Sequence, residues 1–188
     1  QGRDPIVTAA QIITALQTVV SRNVEPLKAG VITVGAIHGG TVGNVIPDIV
    51  EMKGTIRSFE PEIESLLKKR MQAIIGGIAE SMECSAVLEF DVNPTPATVN
   101  DPALAGLVRD NAKALVGATN VRDDRRTMGA EDCAWFLQAA PGAYVFVGAG
   151  SSDESKHVPH HSPRFVIEED SLPIATALVT KSALDFLK

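Results

Sequence analysis

The stretch GVITVGAIHGGTVGNVIPDIVEMKGTIRSF, Gly30 to Phe59, decides the fold. Residues 30–37 are rich in β-branched side chains, which fit a pleated surface, and they predict a strand. Residues 49–59 set Val50, Met52, Gly54 and Ile56 against Glu51, Lys53 and Thr55, the period-two alternation of a strand with one dry and one wet face. Between them His38-Gly39-Gly40-Thr41-Val42-Gly43-Asn44-Val45-Ile46-Pro47-Asp48 is glycine-rich and too long for a tight hairpin turn. A loop of this kind has room to carry function. A strand follows its glycines and no GK[ST] is present, which argues against a phosphate-binding loop.

Upstream of this hairpin, Asp4-Pro5 reads as a capped helix start, and Ile6, Ala9, Ala10, Ile13, Leu16 and Val20 predict one broad buried face up to about residue 22. Downstream, Ile63, Leu67, Met71, Ile74, Ile78 and Met82 form a second helical stripe over 61–82. Ala86, Leu88, Phe90 and Val92 then alternate with Val87, Glu89 and Asp91 as in a strand with one solvated face. The order is α-β-β-α-β. One further strand before Gln1 would complete a ferredoxin-like βαββαβ unit, with two helices on one face of a four-stranded sheet.

Pro94-Thr95-Pro96 and Asn100-Asp101-Pro102 break the periodicity and supply the next helix cap, placing a domain boundary between residues 95 and 96. The second unit, 96–188, predicts a helix over 102–116, a short strand at 120–123, a short helix over 131–139 and a buried strand at 143–148. A polar loop then runs through Pro163 to a final helix over 168–187. The fold class is therefore α/β (α+β) in two units.

Composition narrows the function. Of 188 residues 45% are hydrophobic and 21% charged, which is the balance of a globular chain with a core. The net charge of −6, with scattered Lys and Arg, leaves no electrostatic footprint for nucleic acid. No apolar run approaches the roughly 20 residues of a membrane span, and no membrane partner is expected. Cys84 and Cys133 stand far apart in apolar surroundings without a CxxC pair, which suits a reducing cytoplasm. The opening Gln1-Gly2-Arg3-Asp4, without a methionine, leads us to expect a chain that begins inside a longer protein.

Three of the four histidines, His157, His160 and His161, crowd the loop before the last helix. Imidazole is the commonest protein metal ligand, yet a solvated loop can hold histidines by chance, and no HExxH or paired-cysteine motif accompanies these. Glu131 and Asp132 could orient a ligand, or could simply be acids favoured at a helix start. Asn44 and Arg57 together suit an anionic substrate end, a bidentate guanidinium with a directional amide, against the plainer reading of a turn residue and a surface ion pair.

These residues also resemble a known family. Thr33 to Thr41, Asn44-Val45-Ile46-Pro47-Asp48 and Gly54-Thr55-Ile56-Arg57-Ser58-Phe59 are similar to the lid of the M20 metallopeptidases, in the amidohydrolase branch that includes hippurate and auxin-conjugate hydrolases. Met128-Gly129-Ala130-Glu131-Asp132 and His160-His161-Ser162-Pro163-Arg164-Phe165 resemble two further motifs of that branch, in the same order. The resemblance implies a ferredoxin-like lid, also the dimerisation domain, joined to the C-terminal part of a zinc-peptidase-like catalytic domain. It implies His161 as a ligand to one of two divalent ions (manganese, zinc or nickel), Asn44 and Arg57 as the grip on the substrate carboxylate, across the subunit interface in related dimers, and Gly148 in the substrate cleft.

The family's Cys-x-His pair, its Glu-Glu pair with the catalytic base, another histidine ligand and the first lid strand have no counterpart among these residues, so no catalytic base is expected within this chain. In the complete family pattern a metal-activated water attacks the amide of an N-acyl amino acid. The chain alone is expected to be inactive. The alternative is a non-catalytic dimerisation or interaction module built on the same lid.

Overall fold

The computed structural model describes residues 2–151 and 153–188; Gln1, and Ser152 within the predicted polar loop, lie outside the described residues. The chain divides into two compact units, Gln1–Ala97 and Thr98–Lys188.

In the first unit, helix α1 (Pro5–Asn23) starts where Ile6 N and Val7 N donate to the Asp4 carboxylate, with Pro5 at the first position needing no partner for a missing N–H. Strands β1 (Gly30–Gly39) and β2 (Val50–Ser58) pair antiparallel, with Ile32 opposite Ile56, Val34 opposite Gly54 and Ile37 opposite Met52. A bulge between Val34 and Ala36 accommodates Gly35 as the extra residue. At Gly54 a side chain would run into the Thr33 carbonyl, so only glycine lets the two backbones approach there. Helix α2 (Pro61–Ser81) then packs beside α1.

The core is the seam between these helices and the sheet. Ile12, Leu16 and Val19 of α1 meet Ile63, Leu67, Met71 and Ile75 of α2, and Ile32, Val34, Met52 and Ile56 close it from the dry face of the sheet. The α1 seam is turned from the expected stripe: Ile6 and Ala10 are exposed, while Thr8, Ile12 and Val19 are buried. Apolar residues surround this helix, and α2 selects among them.

Among the described residues the sheet contains β1 and β2 and nothing else, so three predicted strands require correction. Residues 86–92 do show one dry face, since Leu88 packs on the core and Lys68 Nζ lies 5.4 Å from the centre of the Phe90 ring. Alternation reports a buried face, however, and a strand also needs a neighbour's backbone groups. No described segment offers them to 86–92.

In the second unit, α3 (Pro102–Val116) is capped by Asp101, whose carboxylate accepts from Ala103 N and Leu104 N at 2.9 Å each. It packs on α5 (Ser171–Phe186), where buried Asn111 donates to Ser182 Oγ. The short helix α4 (Cys133–Ala139) lies between them in sequence. The predicted strand at 120–123 gives way to a 3-10 turn over Ala118–Asn120, following Gly117 in the left-handed region at φ 84°. The predicted strand at 143–148 is held by a side chain in place of a ladder: Asn100 Nδ2 donates to Tyr144 O at 2.9 Å and Asn100 Oδ1 accepts from Tyr144 N at 2.8 Å. Asp101 N adds a bond to Gly142 O.

Candidate functional site

The candidate residues divide between the two units. In the first, Asn44 lies exposed in the β1–β2 loop and Arg57 lies exposed on the wet face of β2, opposite Val31. The structure separates them. The loop comes down beside the start of α1, where a side chain on Gly2 would meet Ile46 and one on Gly40 would meet Ile6. The Arg57 end of the ladder lies at the other end of α1, where Gly30, paired with Ser58, faces Val24. The seven steps along β2 from Val50 to Arg57 span about 23 Å. Asn44 and Arg57 thus lie toward opposite ends of the hairpin.

In the second unit, His161 stands exposed with φ 67°, in the left-handed region that non-glycine residues seldom adopt. The turn after it is tied by Arg164 N donating to Ser162 Oγ and Phe165 N donating to Ser162 O. Its neighbour His160 packs edge-on against Phe165, with ring centres 4.9 Å apart. The two adjacent imidazoles therefore differ: His160 packs on an aromatic ring, and His161 is exposed on a strained backbone. His157 is engaged elsewhere: its Nε2 meets the Ser151 carbonyl oxygen, and it lies against Gly150. Gly148 is exposed and has open space where a side chain would be.

Glu131 is half-buried just before α4. Desolvation by burial, followed by the influence of the Glu131 carboxylate, raises the Tyr144 pKa above the ordinary tyrosine range. Sequence reading missed Tyr144, and the signal was available: it is the sole tyrosine of the chain, set in an apolar stretch where a phenol hydroxyl seeks a partner.

Among the described residues, no three His, Cys, Asp or Glu side chains come together in a way that could hold a metal ion. Also among the described residues, no helix is long and apolar enough to cross a membrane.

Comparison with known proteins places these features. The chain is 40% identical over 183 residues to the N-acetyl-L-cysteine deacetylase of Bacillus subtilis (strain 168), covering 97% of this chain and 42% of that protein. It is 36% identical over 187 residues to the IAA-amino acid hydrolase ILR1-like 4 of Arabidopsis thaliana, covering 98% of this chain and 42% of that one. A solved chain from methicillin-resistant Staphylococcus aureus superimposes with a TM-score of 0.85 at 32% identity, covering 99% of this chain and 47% of that chain. The Bacillus subtilis YXEP protein, described as a dinuclear metal binding peptidase from the M20 family, gives 0.76 at 30% identity, covering 98% and 46%. The chain thus spans a little under half the length of these relatives. The model of peptidase family M20/M25/M40 matches residues 5–185, through both units and through every motif from the lid hairpin to the His160-His161 loop, and to that family this chain belongs.

Proposed function

We propose that this chain is the lid and carboxy-terminal portion of a divalent-metal amidohydrolase that releases amino acids from N-acyl amino acids. The observation that carries the reading is the family match over 5–185, which contains Asn44, Arg57, Glu131, Gly148 and His161 in one chain. Two relatives, named for N-acetyl-L-cysteine and for an IAA-amino acid, point to an acylated amino acid as the substrate class. His161 would give one imidazole to a centre for manganese, zinc or nickel, whose remaining ligands and base lie outside this chain. The chain alone has no activity in this reading.

Arg57 would hold the substrate carboxylate bidentately, with Asn44 donating a directional hydrogen bond. The distance between them within one lid supports a homodimer in which one copy gives Asn44 and the other Arg57 to a shared site. Gly148, with open space around it, would leave room for the acyl group.

The test is amino-acid release from N-acetyl amino acids by the complete product of the reading frame with Mn2+. Release is expected, stopped by a chelator. Arg57→Ala should raise KM for the acids about tenfold or more, and leave the corresponding N-acetyl amino acid amides unaffected, because loss of a charge-assisted bond costs about 1.5–3 kcal/mol. Equal effects on acids and amides would remove Arg57 from the carboxylate site. No hydrolysis of any acyl amino acid would overturn the reading in favour of a dimerisation module.

A further inference from the structure

Among the described residues of the long loop 150–167 there is no ladder and no helix beyond the 3-10 turn Glu154–Lys156, yet within it His161 holds φ 67°. A non-glycine residue persists in that region only where its surroundings over-determine it. The ties that do so can be followed along the loop. Its neck is closed by Glu168 N donating to Ala149 O at 2.9 Å, and the Glu168 carbonyl accepts in turn from Ser171 Oγ at 2.7 Å, at the start of α5. Around His161, Ser162 ties the turn and His160 packs edge-on against Phe165. Earlier in the loop, the bonds from Asp153 N to Ser151 Oγ and from Ser155 N to Asp153 Oδ1 each reach back only two residues. His157 reaches further, its Nε2 meeting the Ser151 carbonyl six residues back. Facing a carbonyl oxygen, that nitrogen carries the proton, and both the neutral Nε2–H ring and the imidazolium can donate. A methyl group on Gly150 would sit 3.2 Å from the same nitrogen, so the ring lies against a position where glycine leaves it room.

We propose that His157 is a positioning residue: its ring, donating from Nε2 to the Ser151 carbonyl beside Gly150, closes the first half of the loop on itself and so holds His161 in its left-handed conformation. His157 is exposed, so water competes for the carbonyl, and one net hydrogen bond shifts a local equilibrium by roughly 2- to 10-fold. That is too little to fold a loop and enough to choose between its conformations. The inference rests on the amidohydrolase reading only for what His161 then does, which is to give its imidazole to the metal centre. The tie itself is a property of this chain.

In NMR spectra of residues 1–188, a strong intraresidue NH–Hα cross-peak marks a positive φ, because the two protons then approach closely. The wild type should show it at His161. His157→Phe, which keeps a ring and loses the donor, should weaken it, whereas His157→Gln, whose amide nitrogen can reach the same carbonyl, should keep it. Circular dichroism at neutral pH checks that each variant is folded, and His157→Leu repeats the test should the phenylalanine variant not fold. A cross-peak as strong in the folded phenylalanine variant as in the wild type, or already weak in the wild type, overturns the proposal. Equal loss in the glutamine variant would overturn the hydrogen bond as its cause.

Binding of Mn2+ to the complete gene product, followed by calorimetry, gives the second readout. His157→Phe should raise the Kd about tenfold, the scale of losing an outer partner of a metal ligand, with His157→Gln close to the wild type. Unchanged affinity in the folded phenylalanine variant would overturn the positioning role. Failure of the wild type to bind Mn2+ would instead defeat the amidohydrolase reading, while the His161 cross-peak would still decide the tie.

Discussion

At the residue scale, the informative positions are those where the backbone allows few alternatives. His161 is a histidine with φ 67°, a conformation that glycine would adopt without strain. His161→Gly should therefore leave folding stability unchanged or slightly raised in urea denaturation. In the complete gene product it should abolish hydrolysis by more than the roughly 10- to 100-fold that loss of an outer partner costs. A stability loss with activity retained would make His161 a structural turn residue. Gly54 is constrained by the Thr33 carbonyl, so Gly54→Ala should cost about 1–3 kcal/mol by urea denaturation, as overpacking does. Both positions lie within recognisable motifs in the sequence, but their backbone angles and close approaches were not legible there. A glycine gives no sign of which atom would collide with its missing side chain.

At the element scale, helices were legible because their signals are local. Asp4-Pro5 and Asp101-Pro102 mark starts that the structure places within a residue of where cap chemistry requires, and the α2 stripe keeps Ile63, Leu67 and Met71 as read. Leu67 is completely buried, so Leu67→Ala should lower stability by about 2–5 kcal/mol in urea denaturation, and a loss under 1 kcal/mol would contradict the α1–α2 seam as the core. Strands were less legible. Residues 86–92 and 143–148 have the right composition, yet the first lacks a neighbour and the second is bonded to the Asn100 amide, and neither fact has a local signal.

The end of α5 gives a pH prediction. Lys181 and Lys188 hydrogen-bond to Asp185 at 2.8 and 2.7 Å and hold its carboxyl well below the usual carboxylate range. A depressed folded pKa means that the stabilisation is present above the unfolded value of about 3.9 and is lost as pH falls through the folded one. Amide NMR shifts at residues 183–187 should thus move as pH drops below about 4, and replacing both lysines by alanine should bring that transition back up toward about 4. Because the group is exposed, salt should weaken the effect.

At the scale of the whole molecule, the two units carry complementary parts of one family pattern. In the first unit Asn44 and Arg57 stand at opposite ends of a hairpin. The second unit carries the exposed His161 and the half-buried Glu131. The residue types at Asn44, Arg57 and His161 were legible as chemistry suited to an anion and a metal. Their separation was not, because spacing along a hairpin says nothing of which end of α1 each strand terminus meets. Neither unit assembles a metal centre among the described residues, and the chain spans less than half of its relatives' length. The measurement that tests this account most directly is the initial rate of amino-acid release from an N-acetyl amino acid with Mn2+, taken side by side for residues 1–188 alone and for the complete product of the reading frame. The account predicts turnover by the complete product and none by the chain alone; release by the chain alone, or by neither, would contradict it.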